Sequence, residues 1–341
     1  MKNTTNNNII IIGCSISSLY AAIKCLDLGY NVCILETKKC ISQIFHHSNM
    51  KIYNDNHKLY INLLKSYDIH SEKINDIKYN QNVFNIFSQI INTSKYIPDN
   101  ILMNNNILTL CSNKTIEIES INKHNCYDFL FNNISAYDCI NMFKTDVLNN
   151  SNYYFLNNQN ITLLFERMLA KFKKKKGEIL LNHYVKHIKY VRDNFVLYCN
   201  NDKVFNCNYI VTTISKKNLL NFNFWNNTQI KHLNSVFSIP ILKTKKIFDN
   251  ILKSEKDLLD FNNFNSENQI LLDTMHIVFP STSKRTEVIY LWQNNVNNII
   301  LREKIKHLYN KKFFICSESF SKNNLFINYS LEFVDNCVIS L

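Results

Sequence analysis

Glycine and proline are scarce in this sequence. Its 341 residues include three of each, where average usage predicts roughly 24 glycines and 17 prolines. Asn, Ile, Lys and Tyr take their place, and codons for these residues are rich in A and T. This composition indicates an AT-biased genome, such as that of some large DNA viruses or protozoa. The glycines that remain are therefore expected at positions where the backbone requires them. Gly13 lies at a predicted turn, and Gly29 and Gly177 follow predicted helices, where positive φ or close approach is expected.

Several sequence signals are also absent. The 11 cysteines form no CxxC pair and no zinc-ligand spacing, which indicates a reducing compartment. Residues 1–8 are polar and no apolar run reaches the roughly 18 residues of a spanning helix. We therefore expect a soluble cytoplasmic protein without a membrane partner, or a virion protein if the genome is viral.

The composition that remains is that of a folded protein. With 46% hydrophobic and 13% aromatic residues, the chain is globular and long enough for two domains. The formal charge of +12 would suggest an acidic partner, but AT bias inflates lysine, so a nucleic-acid partner is not favoured. No metal site is predicted, because the histidine pairs 46/47 and 183/187 lack suitable ligand spacing.

A strand, turn and helix at the N-terminal end organise the prediction. Residues 9–12 are four isoleucines typical of a buried strand, Gly13 supplies the turn, and a helix runs to Leu28. A second strand, residues 31–36, ends on Glu36. This acid lies 23 positions after Gly13, where a carboxylate would accept hydrogen bonds from an adenosine ribose.

The glycine fingerprint of such a unit is incomplete. The pattern G-x-G-x-x-G keeps its first glycine as Gly13, but Ser15 and Ser18 occupy the second and third positions. These glycines normally allow close approach of the backbone to a pyrophosphate and close packing of helix and strand. The spacing favours a dinucleotide site, while the serines leave its phosphate contacts open.

Later segments are assigned from periodicity and composition. Helices are predicted at residues 57–67 and 161–172, the latter ending in Lys173 to Lys176 and Gly177. Strands are predicted at 178–185, 186–191, 194–199 and 208–214. Residues 70–150 alternate short apolar runs with Asn clusters and are predicted to be a mixed, inserted substrate region.

Three blocks of the chain resemble one known family. Residues 13–37 are similar to G-A-G-I-S-G-L-x-A-A-x-x-L-x-x-x-G-x-x-V-x-V-L-E-A, with Ile16 and Ser17 matching its Ile-Ser pair. Residues 179–188 match I-L-L-N-x-x-V-x-x-I. The segments 208–215 and 314–318 resemble A-D-x-V-I-V-T-x-P and F-A-G-T-E, and 326–332 falls on Y-M-E-G-A-V-E. Together these blocks resemble the flavin-containing amine oxidases, the family of the monoamine and polyamine oxidases.

The resemblance implies a fold, a cofactor and roles for individual residues. The fold would be α/β, with an FAD/NAD(P)-binding Rossmann-type domain and a reduced α+β substrate domain. FAD would be bound noncovalently, with a small amine as substrate. The implied cofactor-binding residues are Gly13, Ser15 and Ser18 at the pyrophosphate turn, Glu36 at the ribose, Val185 at the adenine through its backbone, and Glu318 at the ribityl or pyrophosphate part. The implied catalytic residues are Lys243, which would order a water near the flavin, and Phe326, one wall of an aromatic cage completed by Tyr290 or Trp292.

The sequence departs from the family on the cofactor side. Ser42-Gln43-Ile44 stands where the family has Gly-Gly-Arg, and Cys316 replaces the glycine before Thr-Glu. Asn328 replaces an acid, and Tyr329-Ser330 replaces Gly-Ala. Each change is expected to place a side chain where a backbone N–H would contact phosphate or flavin.

The blocks also predict a domain organisation. The FAD-binding domain would be assembled from residues 1–69, 151–235 and 311–341. The substrate domain would comprise the insert 70–150 and a second part, 236–310.

Two functions follow. The first is an FAD-dependent, amine-oxidase-like oxidoreductase that transfers a hydride from a C–N bond to flavin, with O₂ as the final oxidant, possessing full or impaired activity. The second is a catalytically inactive pseudoenzyme of the same fold that serves as a structural or protein-binding component, for example of a large DNA virus particle. Gly13, Glu36 and Glu318 favour the first hypothesis, and the lost glycines and arginine favour the second.

Overall fold

The computed structural model describes most of the predicted dinucleotide-binding unit and parts of the remaining chain. The described residues are 8–41, 52–74, 81–116, 135–137, 140, 152–156, 158–214, 216–234, 236–244, 269–272, 275–278, 286–294, 312–316 and 327–338.

Strands and helices both occur along the described part of the chain. The strands are β1 (Asn8–Ile12), β2 (Asn31–Leu35), β3 (Ile52–Asn54), β4 (Glu72–Ile74), β5 (Tyr153–Phe155), β6 (Glu178–Leu180), β7 (Val185–Val191), β8 (Asn194–Cys199), β9 (Val204–Cys207), β10 (Tyr209–Thr212), β11 (Val236–Thr244), β12 (Gln269–Leu272), β13 (Met275–Val278), β14 (Thr286–Asn294) and β15 (Phe313–Ile315). The helices are α1 (Ile16–Asp27), α2 (Lys58–Ser66), α3 (Gln81–Ser94), α4 (Asp99–Asn104), α5 (Ile107–Ser112), α6 (Asn158–Lys174), α7 (Lys216–Leu220), α8 (Asn227–Asn234) and α9 (Ile327–Val338).

A parallel sheet places the predicted site. Its described strands lie in the order β15-β10-β1-β2-β6, and every neighbouring pair is parallel. Numbered along the chain within this sheet, the order is 3-2-1-4-5, as in doubly wound dinucleotide-binding folds. The predicted α/β class with a Rossmann-type domain is therefore confirmed.

Both faces of the sheet are covered, which explains the unbroken isoleucine run in β1. Alternate residues face opposite sides: Ile9 and Ile11 join one buried cluster with residues of α1, α6 and α9, and Ile10 and Ile12 join another with residues of β7, β8 and β9. A strand buried on both faces needs apolar residues at every position. Smaller antiparallel sheets have the orders β3-β5-β4, β7-β8-β9, β11-β14 and β12-β13.

Several predicted elements are confirmed and one is wrong. The helices predicted at 57–67 and 161–172 are α2 and α6, and Gly29 has the expected positive φ of 88° after α1. The single strand predicted over 178–185 is two strands, β6 and β7. Asn182, with φ of 59°, breaks the extended backbone between them, so β6 joins the parallel sheet and β7 begins an antiparallel one.

Gly177, after α6, is required for close approach to a neighbouring ring. The left-handed residue is Lys176, with φ of 65°, while Gly177 donates its N–H to the carbonyl of Phe172 at 3.0 Å. A Cβ on Gly177 would lie 2.0 Å from the buried Phe172 ring. Close approach explains this glycine, and positive φ does not.

The division into domains remains a prediction.

His57 gives the protein a predicted acid sensitivity. The residue is 1% exposed, and this burial lowers its pKa from 6.5 to about 4. Between these values the unfolded chain binds the proton and the folded chain does not, so stability falls as the pH drops from 6.5 towards 4. The slope approaches about 1.4 kcal/mol per pH unit, and above pH 6.5 the residue adds no pH dependence.

Urea unfolding at pH 7, 6 and 5 measures this slope. His57→Gln should flatten it, whereas His70→Gln, at a side chain that is 90% exposed, should leave the wild-type slope. Equal slopes in wild type and His57→Gln would contradict the assignment.

Candidate functional site

The turn between β1 and α1 lies at the carboxyl edge of the parallel sheet. Gly13 has φ of 93°, and its N–H donates to the carbonyl of Leu35 at 2.8 Å. A Cβ at this position would lie 2.6 Å from Cγ2 of Ile214, just beyond β10. The turn therefore requires glycine for both its conformation and its close approach, and it meets the ends of β2 and β10 where ligands bind in such folds.

The two serines of the fingerprint form a hydrogen-bonded helix cap. Ser15 is extended, with φ of −147° and ψ of 177°, and is the N-cap of α1. Its Oγ accepts from the Ser18 N–H at 3.2 Å, and Oγ of Ser18 accepts from the Ser15 N–H at 3.0 Å. This capping box requires no positive φ at Ser15. The second fingerprint position therefore tolerates a side chain here.

Ser18 also replaces the close helix–strand contact of the third glycine. It is completely buried, and its Oγ lies 2.6 Å from Oγ1 of Thr213, just beyond β10. The hydroxymethyl group thus joins α1 to the sheet by a hydrogen bond. No local sequence signal marks Thr213 for this contact, because 195 positions separate it from Ser18.

The N-terminus of α1 keeps part of its capacity for an anion. The capping box uses the N–H groups of Ser15 and Ser18, whereas those of Ile16 and Ser17 have no acceptor among the described residues. Both belong to the first helical turn, where the helix dipole favours negative charge. Two backbone donors are thus available for a phosphate.

Glu36 joins the turn to the end of β2. Its Oε2 accepts from the Cys14 N–H at 2.7 Å, and its Oε1 accepts from the Lys38 N–H at 2.8 Å and the Thr37 hydroxyl at 3.0 Å. The carboxylate is 6% exposed. A carboxylate has about four acceptor positions, so three internal bonds leave one for a ribose hydroxyl.

Val185 lies near the end of β2, because the segment that precedes Val185 is hydrogen-bonded to residues that follow that strand. The His183 N–H donates to the carbonyl of Glu36 at 2.8 Å, and the Asn182 N–H donates to that of Lys38 at 2.9 Å. Val185, two residues on, begins β7 with its side chain buried. The structure therefore brings Gly13, Ser15, Ser18 and Glu36 together, with Val185 close in the chain to a residue bonded to Glu36.

The other predicted site residues are not placed at this site. Lys243 lies on β11, opposite Glu287 of β14, and only its backbone is described. Glu318, Phe326 and the Ser42-Gln43-Ile44 segment lie outside the described residues, as do His46 and His47.

The residues that depart from the family pattern near the C-terminal end make internal contacts. The N–H of Cys316 donates to the carbonyl of Thr212 at 2.7 Å, which extends the pairing of β15 with β10. Oδ1 of Asn328 accepts from the Tyr60 N–H at 3.0 Å, and Oγ of Ser330 lies 2.7 Å from Oγ of Ser17. These bonds hold α9 against α1 and α2.

Cysteine and histidine chemistry is limited in the described part of the chain. Burial, followed by the nearby Glu36 carboxylate, raises the pKa of the Cys14 thiol, so this thiol stays protonated and unreactive at neutral pH. No group of three or more His, Cys, Asp or Glu side chains there could hold a metal ion. His183, which lies between strands and not on the predicted strand face, has Nδ1 2.7 Å from the carbonyl of Leu181.

None of the described helices has both the length and the apolar character needed to cross a bilayer.

Comparison with known proteins identifies a shared fold. No protein-family model and no curated protein matches the sequence. Among solved structures, wild-type putrescine oxidase bound to putrescine matches with a TM-score of 0.65 at 8% identity, covering 98% of each chain. A single-site and a double-site variant from a redesign of cofactor binding in that enzyme match with TM-scores of 0.66 and 0.64 and the same identity and coverage. The chain therefore has an amine-oxidase-like fold.

Proposed function

We propose that the protein binds FAD noncovalently at the β1–α1 turn and is an FAD-dependent, amine-oxidase-like oxidoreductase. The observation that carries the proposal is the arrangement of Gly13, the α1 N-terminus and Glu36 at one edge of a sheet in a putrescine oxidase fold. Fold alone does not give function, but these groups match the chemistry of a dinucleotide: donors for a pyrophosphate and an acceptor for a ribose.

In this proposal, the described residues hold the adenosine half of the cofactor. The N–H groups of Ile16 and Ser17 bind the pyrophosphate, the fourth acceptor position of Glu36 binds the ribose, and the Val185 backbone contacts the adenine. Glu318 would bind the ribityl or pyrophosphate part.

The substrate side is proposed from the family resemblance. When bound, FAD would supply the hydride acceptor for oxidation of an amine C–N bond, with O₂ as the final oxidant. Lys243 would order a water near the flavin, and Phe326 with Tyr290 or Trp292 would orient a small amine between aromatic rings. Putrescine, bound by the matched enzyme, is the first amine to test.

An absorption spectrum of the full-length protein tests cofactor binding. After it is mixed with FAD, the protein should keep absorption bands at about 370 and 450 nm through gel filtration, as expected for a bound flavin. FMN, which lacks the adenosine that Glu36 and Val185 would contact, should be lost in the same procedure. A colourless protein after mixing with FAD would overturn the proposal.

A second candidate is an inactive pseudoenzyme with a structural or protein-binding role, as in a virus particle. The observation that favours it is that the Ser15, Ser18 and Cys316 N–H groups are all engaged within the protein. FAD retention with peroxide formation from amines supports the oxidase. FAD retention without peroxide from any amine supports the pseudoenzyme, and so does a colourless protein. The proposed location of such a pseudoenzyme is the cytoplasm or a virion.

A further inference from the structure

The outer face of the β7-β8-β9 sheet carries apolar side chains where a solvent-facing sheet would carry polar ones. Ile188, Leu197 and Phe205 lie side by side on the three strands and pack in or against the buried cluster beneath the sheet. Successive residues of a strand point to opposite faces, so the residues between these positions face outward. The apolar members of this outer set are Val191, Val196, Tyr198 and Val204.

These four side chains form one continuous strip across the sheet. Val204 lies directly opposite Tyr198, Val196 is two positions from Tyr198 on the same strand, and Val191 is the diagonal neighbour of Val196. Val191 and Val204 are each 50% exposed. They are two of the five large apolar side chains that are exposed in the described part of the chain. A contiguous apolar surface of this kind is typical of an interaction site.

The dimensions of the outer face fit one α-helix. Strands lie about 4.8 Å apart, so the axes of the outer two strands are about 10 Å apart. A helix with its side chains is about 10–12 Å wide. The central strand, β8, has six residues and spans about 20 Å, which is the length of about 13 helical residues. The strip can therefore receive the apolar stripe of an amphipathic helix of three to four turns.

The charges around the strip indicate what kind of helix fits. Four basic side chains of these strands and their turns are exposed: Lys186, Lys189, Arg192 and Lys203. Nζ of Lys189 lies 5.3 Å from the centre of the Tyr198 ring, which places a cation over the strip itself. The turn acids Asp193 and Asp202 are fewer, and Asp193 already lies 4.0 Å from Nζ of Lys312. Acidic flanks on the helix would therefore be complementary, whereas a second copy of this chain, with a formal charge of +12, would be repelled.

We propose that the outer face of the β7-β8-β9 sheet binds an acidic amphipathic α-helix of a partner protein. The apolar stripe of the helix covers the strip from Val191 to Val204, and its flanking carboxylates lie towards Lys189 and the other exposed cations. The inner face of the same sheet packs against residues of the parallel sheet, among them Ile10 and Ile12. The docking surface is thus turned away from the parallel sheet, and its occupation does not require FAD.

Fluorescence anisotropy with the full-length protein tests the proposal. The probe is a labelled peptide of about 14 residues, or four helical turns, with Leu on one face and Glu and Ala on the other. A counterpart has Lys in place of Glu. A side-chain staple on the polar face keeps both peptides helical, since isolated helices of this length are marginal in water. At about 0.05 M salt, where surface charges are weakly screened, the acidic peptide should bind at least about tenfold more tightly than the basic one.

Two variants locate the contact on the outer face. Val191→Thr/Val204→Thr keeps β-branched side chains on the strands and replaces a methyl group by a hydroxyl at two exposed positions. It should weaken binding of the acidic peptide by about tenfold, because less apolar surface is then buried. Leu28→Ala is the matched control, since Leu28 is a 58% exposed apolar side chain at the end of α1. It should leave the affinity unchanged. Circular dichroism of each variant checks that the fold is retained.

Three outcomes would overturn the proposal. The first is equal affinity of the wild-type protein for the acidic and basic peptides. The second is equal affinity of the Val191→Thr/Val204→Thr and Leu28→Ala variants for the acidic peptide. The third is a different occupant: a dimer in sedimentation velocity that the double variant loses would assign the face to a second copy, and tighter binding of a single-stranded DNA oligonucleotide than of the acidic peptide would assign it to nucleic acid.

Discussion

Gly13→Ala is expected to lower the free energy of unfolding by about 3 kcal/mol and to abolish retention of FAD. A left-handed φ of 93° disfavours any residue with a Cβ by roughly 1–2 kcal/mol. In addition, the new Cβ would lie 2.6 Å from Cγ2 of Ile214, and relieving such overpacking costs about 1–3 kcal/mol. The turn must shift away from β10, which displaces the α1 N-terminus and its two donors.

Gly29→Ala is the matched control for this change. Gly29 has a similar φ of 88°, but a Cβ there would meet nothing within 4 Å. It should therefore lose only about 1 kcal/mol and should retain FAD. Urea unfolding and gel filtration with FAD measure both quantities. If the two alanine variants were equally stable, the contact with Ile214 would be refuted as the reason for glycine at position 13.

Glu36→Ala is expected to destabilise the protein by about 3 kcal/mol, whether or not it binds FAD. The carboxylate accepts from two backbone N–H groups, those of Cys14 and Lys38, and from the Thr37 hydroxyl, at 6% exposure. Removing it leaves these donors without their acceptor, at about 1–3 kcal/mol for each buried group. Glu36→Gln should lose about half as much, because its amide oxygen still accepts on one side while its NH₂ group faces a donor on the other.

The exposed Glu178 of β6 supplies the control, since Glu178→Gln should change the stability by less than about 0.5 kcal/mol. In the proposed function, Glu36→Ala also loses FAD. A large loss of stability in a protein that never retained FAD would confirm the internal role of Glu36 and overturn its ribose contact. A stability close to that of Glu178→Gln would contradict both roles.

Much of the N-terminal unit could be predicted from the sequence, because its signals are local. Four consecutive isoleucines predicted a buried strand, and Gly13 and Glu36 predicted the positions of the turn and the acid. The accommodation of Ser18 could not be predicted in this way, since its partner Thr213 lies 195 positions away, just beyond β10. Nor could the break at Asn182, whose positive φ occurs within a run of strand-forming residues.

The sequence by itself determined the class of the fold and the edge at which a ligand would bind. Both depend on hydrophobic periodicity and on glycine, and these act within a few residues of the chain. Tertiary structure decided how the missing glycines are replaced: Ser18 bonds to Thr213, and the Cys316 N–H pairs with Thr212. These outcomes depend on which distant segments come into contact when the sheet forms, and no local sequence pattern specifies those contacts.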